Sequence, residues 1–226
     1  MNSASYLLFP WIHSFKQLRF AGVALRIVGD GFHIGVLHRE DEGTVECLHL
    51  AGHLDLRNDL PRWVQAWIQL PYEDVRLQAI AGLCRLVSEK KQEMKYAFRF
   101  AESTITPTGD IIVGDTEYGF TCATFVLALF RAAVIELVDV VAWPPRADED
   151  AKWQASMIQL IRDDPPKSVS REDIENHLRL LKSEIGCARF RPEEVAAAAS
   201  RDEYPVHHET AWKLGNHIAS TLRATA

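Results

Sequence analysis

Tyr118-Gly119-Phe120-Thr121-Cys122-Ala123-Thr124-Phe125-Val126-Leu127-Ala128-Leu129-Phe130 decides how this chain reads. A turn-forming run from Gly109 to Gly119 gives way here to an apolar pattern of helical spacing, which places Cys122 at a helix start. A thiol in that position feels the positive end of the helix macrodipole and unpaired N–H groups, both of which favour thiolate over the free value of about 8.5. The plain alternative is a small core side chain, because unpaired cysteine is among the most buried residue types.

Upstream, the sequence predicts strands. Phe20 to Val28 is β-leaning and ends at the turn Gly29-Asp30-Gly31; Phe32-His33-Ile34-Gly35-Val36-Leu37-His38-Arg39 comes next. The polar turn Glu40-Asp41-Glu42-Gly43 leads to Thr44-Val45-Glu46-Cys47-Leu48-His49-Leu50, so the three runs read as an antiparallel meander. A short loop with Gly43 at a left-handed position sets opposed residues to sum to about 82 or 83, which puts His33 across from His49 or Leu50. A slip of one residue would send the two imidazoles to opposite faces. Residues 6–18 read as an apolar leader broken by Pro10, and 63–70 as a strand with Trp63 or Val64 buried, a helix being the alternative. Val75 to Val87 has helical spacing, Tyr96–Phe100 reads as a short extended segment, and Ile135–Val141 reads as a further strand. Past Trp143-Pro144-Pro145 the pattern is helical: 147–162, 170–182 with Ser170 as N-cap, 192–200 and 209–224. The expected division is 1–143 for a main domain and 144–226 for a helical extension packed on or over its cleft.

Composition is that of a globular protein, 47% apolar and 25% charged. A net charge of −6 without a basic cluster argues against a nucleic-acid partner, and no apolar run has the length of a membrane span. The N-terminus lacks the pattern of a signal peptide, so the expectation is cytoplasmic, or export by a machine that needs no such signal. Cys47, Cys84, Cys122 and Cys187 are scattered without a C-x-x-C pair, which is neither a disulfide framework nor a zinc pattern; no cofactor is expected.

With both histidines on strands and a thiol opening a helix, the chain holds the parts of a nucleophile, a base and a third polar group that orients it. His33-Ile34-Gly35-Val36, Cys47-Leu48-His49-Leu50 and Thr121-Cys122-Ala123-Thr124-Phe125-Val126, in this order, resemble the circularly permuted branch of the papain-like NlpC superfamily. Its relatives include lecithin:retinol acyltransferase-like proteins and bacterial lipoprotein-like hydrolases. The resemblance covers about residues 19–141, and Thr121 stands where the family often has Asn. It implies an α+β, permuted papain-like fold with an antiparallel sheet packed against the nucleophile helix. It further implies a cysteine peptidase or amidase, with Cys122 as nucleophile, His33 as base, His49 as orienter, and Tyr96 as the family's upstream tyrosine. The reaction would be thiolate attack on an amide through a thioester acyl-enzyme, the Cys122 N–H helping to hold the oxyanion. Thr121, Tyr96 and Tyr118 would be the substrate or oxyanion contacts.

Two other readings stand beside it. A thiol acyltransferase or lipid hydrolase would carry an acyl groove, which Trp143, Trp153 and Trp212 could line. A non-catalytic papain-like module would bind a partner, with the helical tail as its surface. The substrate of the enzyme readings is a peptide, amide or acyl-bearing small molecule. His38 and His53 are alternative bases or orienters and Asp55 an alternative third member. Cys84 reads as core, Cys47 as a mid-strand decoy, Asp110 and Asp115 as turn formers, His207-His208 as a solvated pair, and Asp148-Glu149-Asp150 as a helix start.

Overall fold

A computed structural model describes residues 7–39, 43–100, 103–114 and 119–225, and gives a mixed α+β fold. Its centre is a six-stranded antiparallel sheet: β1 (Leu7–Leu8), β2 (Ala21–Val28), β3 (Gly31–His38), β4 (Glu46–Gly52), β5 (Asp55–Asp59) and β6 (Ala66–Gln69), in the order β1-β6-β2-β3-β4-β5. The expected meander is β2-β3-β4. Helix α1 (Asp74–Lys90) comes next, then a small hairpin of β7 (Thr104–Ile105) and β8 (Ile111–Ile112), and then α2 (Cys122–Ala132). The tail forms α3 (Ala147–Asp163), α4 (Arg171–Ser183), α5 (Pro192–Ala199) and α6 (His208–Thr225). The turn Glu40–Glu42, together with Asp115 and Tyr118, lies outside the described residues.

Alternation along the strands assigns each side chain to a face. Val23 and Leu25 of β2, Phe32, Ile34 and Val36 of β3, Leu48 and Leu50 of β4, and Ile68 of β6 join the core shared with the helices. Ala24, Leu37, Cys47 and Trp67 point the other way, where Leu18 and the partly buried Leu8 and Phe15 of the leader cover them. Helix α2 is buried from Cys122 to Phe130, which its apolar composition requires. The tail does not fold apart from the sheet. Leu178, Val195, Ala196–Ala199, Ile218 and Leu222 belong to the same apolar core, and α5 packs against β2, β3 and α2. The alanine run lets α5 approach that closely.

Three expectations are corrected. Ile135–Val141 is not a ladder strand: Val134 turns the chain with φ 62°, and the segment beyond it makes only a parallel bridge between Val138 and Val206. β5 was not expected, because a polar edge strand lacks the apolar alternation that marks a buried one. The β3–β4 register pairs Val36 with Leu48 and Leu37 with Cys47, a sum of 84, because the connection from Arg39 to Val45 is longer than a tight hairpin loop. His33 is therefore diagonal to His49, not opposite it.

Candidate functional site

Thr121 starts α2 through a reciprocal cap. Its Oγ1 accepts from the Thr124 N–H at 3.1 Å, and its own N–H donates to Thr124 Oγ1 at 2.8 Å. That hydroxyl caps the helix. Cys122 sits in the expected place, at the helix N-terminus, but only 8% exposed. Burial pushes its thiol up to about 11, opposed by the backbone of Ile34, the positive charge of Arg189 and the backbone of Ala123 and of Cys122 itself. Desolvation thus outweighs the helix end that the sequence suggested would activate it. Tyr96 comes to the same place. It bridges to Phe120, is fully buried, and has its phenol raised chiefly by burial and then by Cys122.

The two histidines also meet. His33 Nε2 lies 2.8 Å from His49 Nδ1, with ring centroids 4.9 Å apart. The diagonal pair closes because Gly35 stands opposite His49: a Cβ there would come within 2.8 Å of both Cys47 Sγ and His49 Cβ. Trp63 packs on both imidazoles, with centroids at 5.2 and 4.8 Å. Asp59 Oδ2 lies 3.5 Å from His49 Nε2, an electrostatic contact longer than a sound hydrogen bond. Burial, then His49, lowers His33 to about 3. His49 is lowered too, since desolvation outweighs the pull of Asp59.

The thiol and the imidazoles are not brought together. Ile34 faces the helices and its backbone holds the sulfur, so His33, one residue earlier, projects from the opposite face of β3. Cys47 and His49 share that far face, where the Gly35 position touches both. The alternatives do not fill the gap. His38 bonds to Asn58 at 2.8 Å, and Asn58 in turn to Glu46. His53 accepts from the Tyr96 N–H at 3.2 Å and stacks on His177 at 4.1 Å. Asp55 pairs with Arg57 at 2.6 Å.

Three residues at these clusters were not expected at the site. Asp59 and Trp63 lie on strand-edge and loop segments with no motif around them. Arg189 comes from the tail, and its charge acts on both Cys122 and Tyr96. Its one signal was two arginines flanking a phenylalanine before a helix-starting proline, Arg189-Phe190-Arg191-Pro192. Beside Arg189, the β2–β3 turn, α3 and α6 enclose a cleft of about 520 Å³. Among the described residues no group of three or more His, Cys, Asp or Glu side chains is placed to hold a metal ion, and no helix is long and apolar enough to cross a membrane. No protein-family model, curated protein or solved structure matches this chain.

Proposed function

We propose that this chain is a non-catalytic binding module built on a scaffold of permuted papain-like order, with Cys122 as a core residue and the helical tail completing a ligand cleft. The parity of β3 carries the reading. The backbone of Ile34 holds the sulfur, and the paired imidazoles of β3 and β4 lie behind the sheet. A thiol nucleophile needs a base within hydrogen-bond reach, and here the thiol packs with Ile34 in the core while the side chain of His33, the base its sequence motif offers, points to the other face of β3. The scaffold is supported by order: sheet strands first, then the cysteine-bearing helix packed on them.

Alkylation with iodoacetamide at pH 7 tests it. A thiol at about 11 is thiolate in about one part in 10⁴, against about 3% for a free thiol near 8.5. Cys122 should therefore label at least about 100-fold more slowly than a free thiol at the same pH. Labelling at or above the free-thiol rate, located on Cys122 by peptide mapping, would overturn the reading and restore the hydrolase and acyltransferase alternatives.

A further inference from the structure

Arg189 is a buried cation whose donors the fold leaves open. Its side chain is 11% exposed. A guanidinium carries five N–H donors, yet among the described residues those of Arg189 make no hydrogen bond. Its nearest carboxylate oxygen, Asp150 Oδ1, is 3.7 Å away, and Nε is sealed without a partner. What holds it is the indole of Trp153, with Cζ 3.7 Å from the ring centroid. A desolvated donor left unmet costs free energy, more so for a charged group. The guanidinium belongs to the wall of the 520 Å³ cleft, so a ligand in that cleft can meet it.

The other walls say what kind. Lys152 and Arg223 add positive charge, and Arg223 is fixed by donating to the Asp30 carbonyl at 2.7 Å and lying over Phe32 at 5.2 Å. Glu149 is engaged by Arg191 at 2.7 Å, which cancels that pair. Burial pushes the Glu193 carboxyl up. Three cations thus face Asp30 and Glu193, while Met157 and Val28 supply apolar surface.

We infer that this cleft binds a small organic oxyanion, a carboxylate or phosphate on an apolar or aromatic body, with the Arg189 fork gripping the oxygens. Planar guanidinium matches both headgroups in a bidentate way that an ammonium cannot. The inference rests on the reading of the chain as a binding module and names the chemistry of its ligand.

The test is isothermal titration of the full chain with benzoate and phenyl phosphate, with inorganic phosphate, benzyl alcohol and benzylamine as comparisons. The Arg189 Nε–Hε NMR signal reports the site. Benzoate or phenyl phosphate should bind and shift that signal, benzyl alcohol and benzylamine should not, and the tighter of the two anions identifies the headgroup. Arg189→Lys keeps the charge but loses the fork, and should weaken binding about tenfold. Should Arg189 variants lose their fold, Lys152→Gln with Arg223→Gln, both on exposed side chains, should weaken it severalfold in a folded chain. Absent anion binding, equal binding of benzylamine, or binding unchanged in Arg189→Lys would each overturn the inference. Fast labelling of Cys122 would instead overturn the module reading and leave the anion site standing, so the two failures are told apart.

Discussion

Replacing Gly35 by alanine should destabilise the protein, although the usual expectation has the opposite sign. Gly35 is not among the residues with left-handed backbone, so alanine can adopt its conformation. A glycine-to-alanine change at such a site gains about 0.4–1 kcal/mol from the unfolded chain, and a buried methyl adds about 0.8 kcal/mol. Against this, the new Cβ would lie 2.8 Å from Cys47 Sγ, 2.8 Å from His49 Cβ and 3.1 Å from the Leu48 carbonyl oxygen. One of those atoms is main chain, so β3 and β4 must spread, and overpacking of this kind costs about 1–3 kcal/mol. Moving His49 also loosens its 2.8 Å contact with His33, worth a further 0.5–1.5 kcal/mol or so. The net is a loss of about 1–2 kcal/mol. Gly82→Ala supplies the control: it lies within α1, nothing would stand within 4 Å of its Cβ, and it should stabilise by about 1 kcal/mol. Urea unfolding followed by far-UV circular dichroism gives both values from midpoints at constant slope. A Gly35→Ala protein as stable as the parent, with Gly82→Ala behaving as expected, would refute the packing argument.

Two further outcomes rest on contacts of the same kind. Thr121→Ala removes the reciprocal cap of α2 and should cost about 1 kcal/mol in urea unfolding, while Thr121→Ser should keep most of it. Stability should fall as pH drops from about 6.5 toward 3. His33 and His53 are held to about 3 in the folded chain, chiefly by burial, so the unfolded chain binds more protons throughout that window. His33→Asn should flatten the slope of urea midpoint against pH between about 6.5 and 4, and an unchanged slope would show that this imidazole does not titrate as its burial requires.

Where one periodicity dominated, the sequence was readable. β2, β3 and β4 alternate or run apolar between turn residues, and α1, α2 and the tail helices carry helical spacing, with side-chain caps on α2 and α4, so type and limits came through closely. Ile135–Val141 misled because β-branched residues pack equally well in a bridged loop, and β5 hid because Asp55-Leu56-Arg57-Asn58-Asp59 sits at a sheet edge. The site failed in a more specific way. Tyr96 does reach Cys122, and His33 does reach His49. Whether the two pairs meet depends on which side of β3 the helix docks, and a strand with Phe32, Ile34 and Val36 on one face and His33 and Leu37 on the other offers both. The helix chose the face with three large apolar side chains, which is the hydrophobic choice. A histidine motif on the strand says nothing about that docking.

Arg189 points to a ligand while the other buried arginines do not, and the difference lies in their partners. Asp150 is fully buried and needs cations, but Arg146 at 3.4 Å and Arg191 at 3.1 Å already provide them. Each of those two also has a second carboxylate, Glu194 for Arg146 and Glu149 for Arg191. Their placement is accounted for by joining the first turn of α3 to the start of α5. Arg189 stands farthest from Asp150, at 3.7 Å, and the second carboxylate acting on it, Glu193, forms no hydrogen bond with it among the described residues. A leucine or methionine at this position would cover Trp153 without leaving charged donors unmet. Stability alone would favour it, because a buried ion is worth keeping only when its hydrogen bonds are made. The tail instead places a guanidinium there, at the wall of a cleft whose other cations come from α3 and α6. A charged side chain that costs stability and faces open space is where a function is best sought.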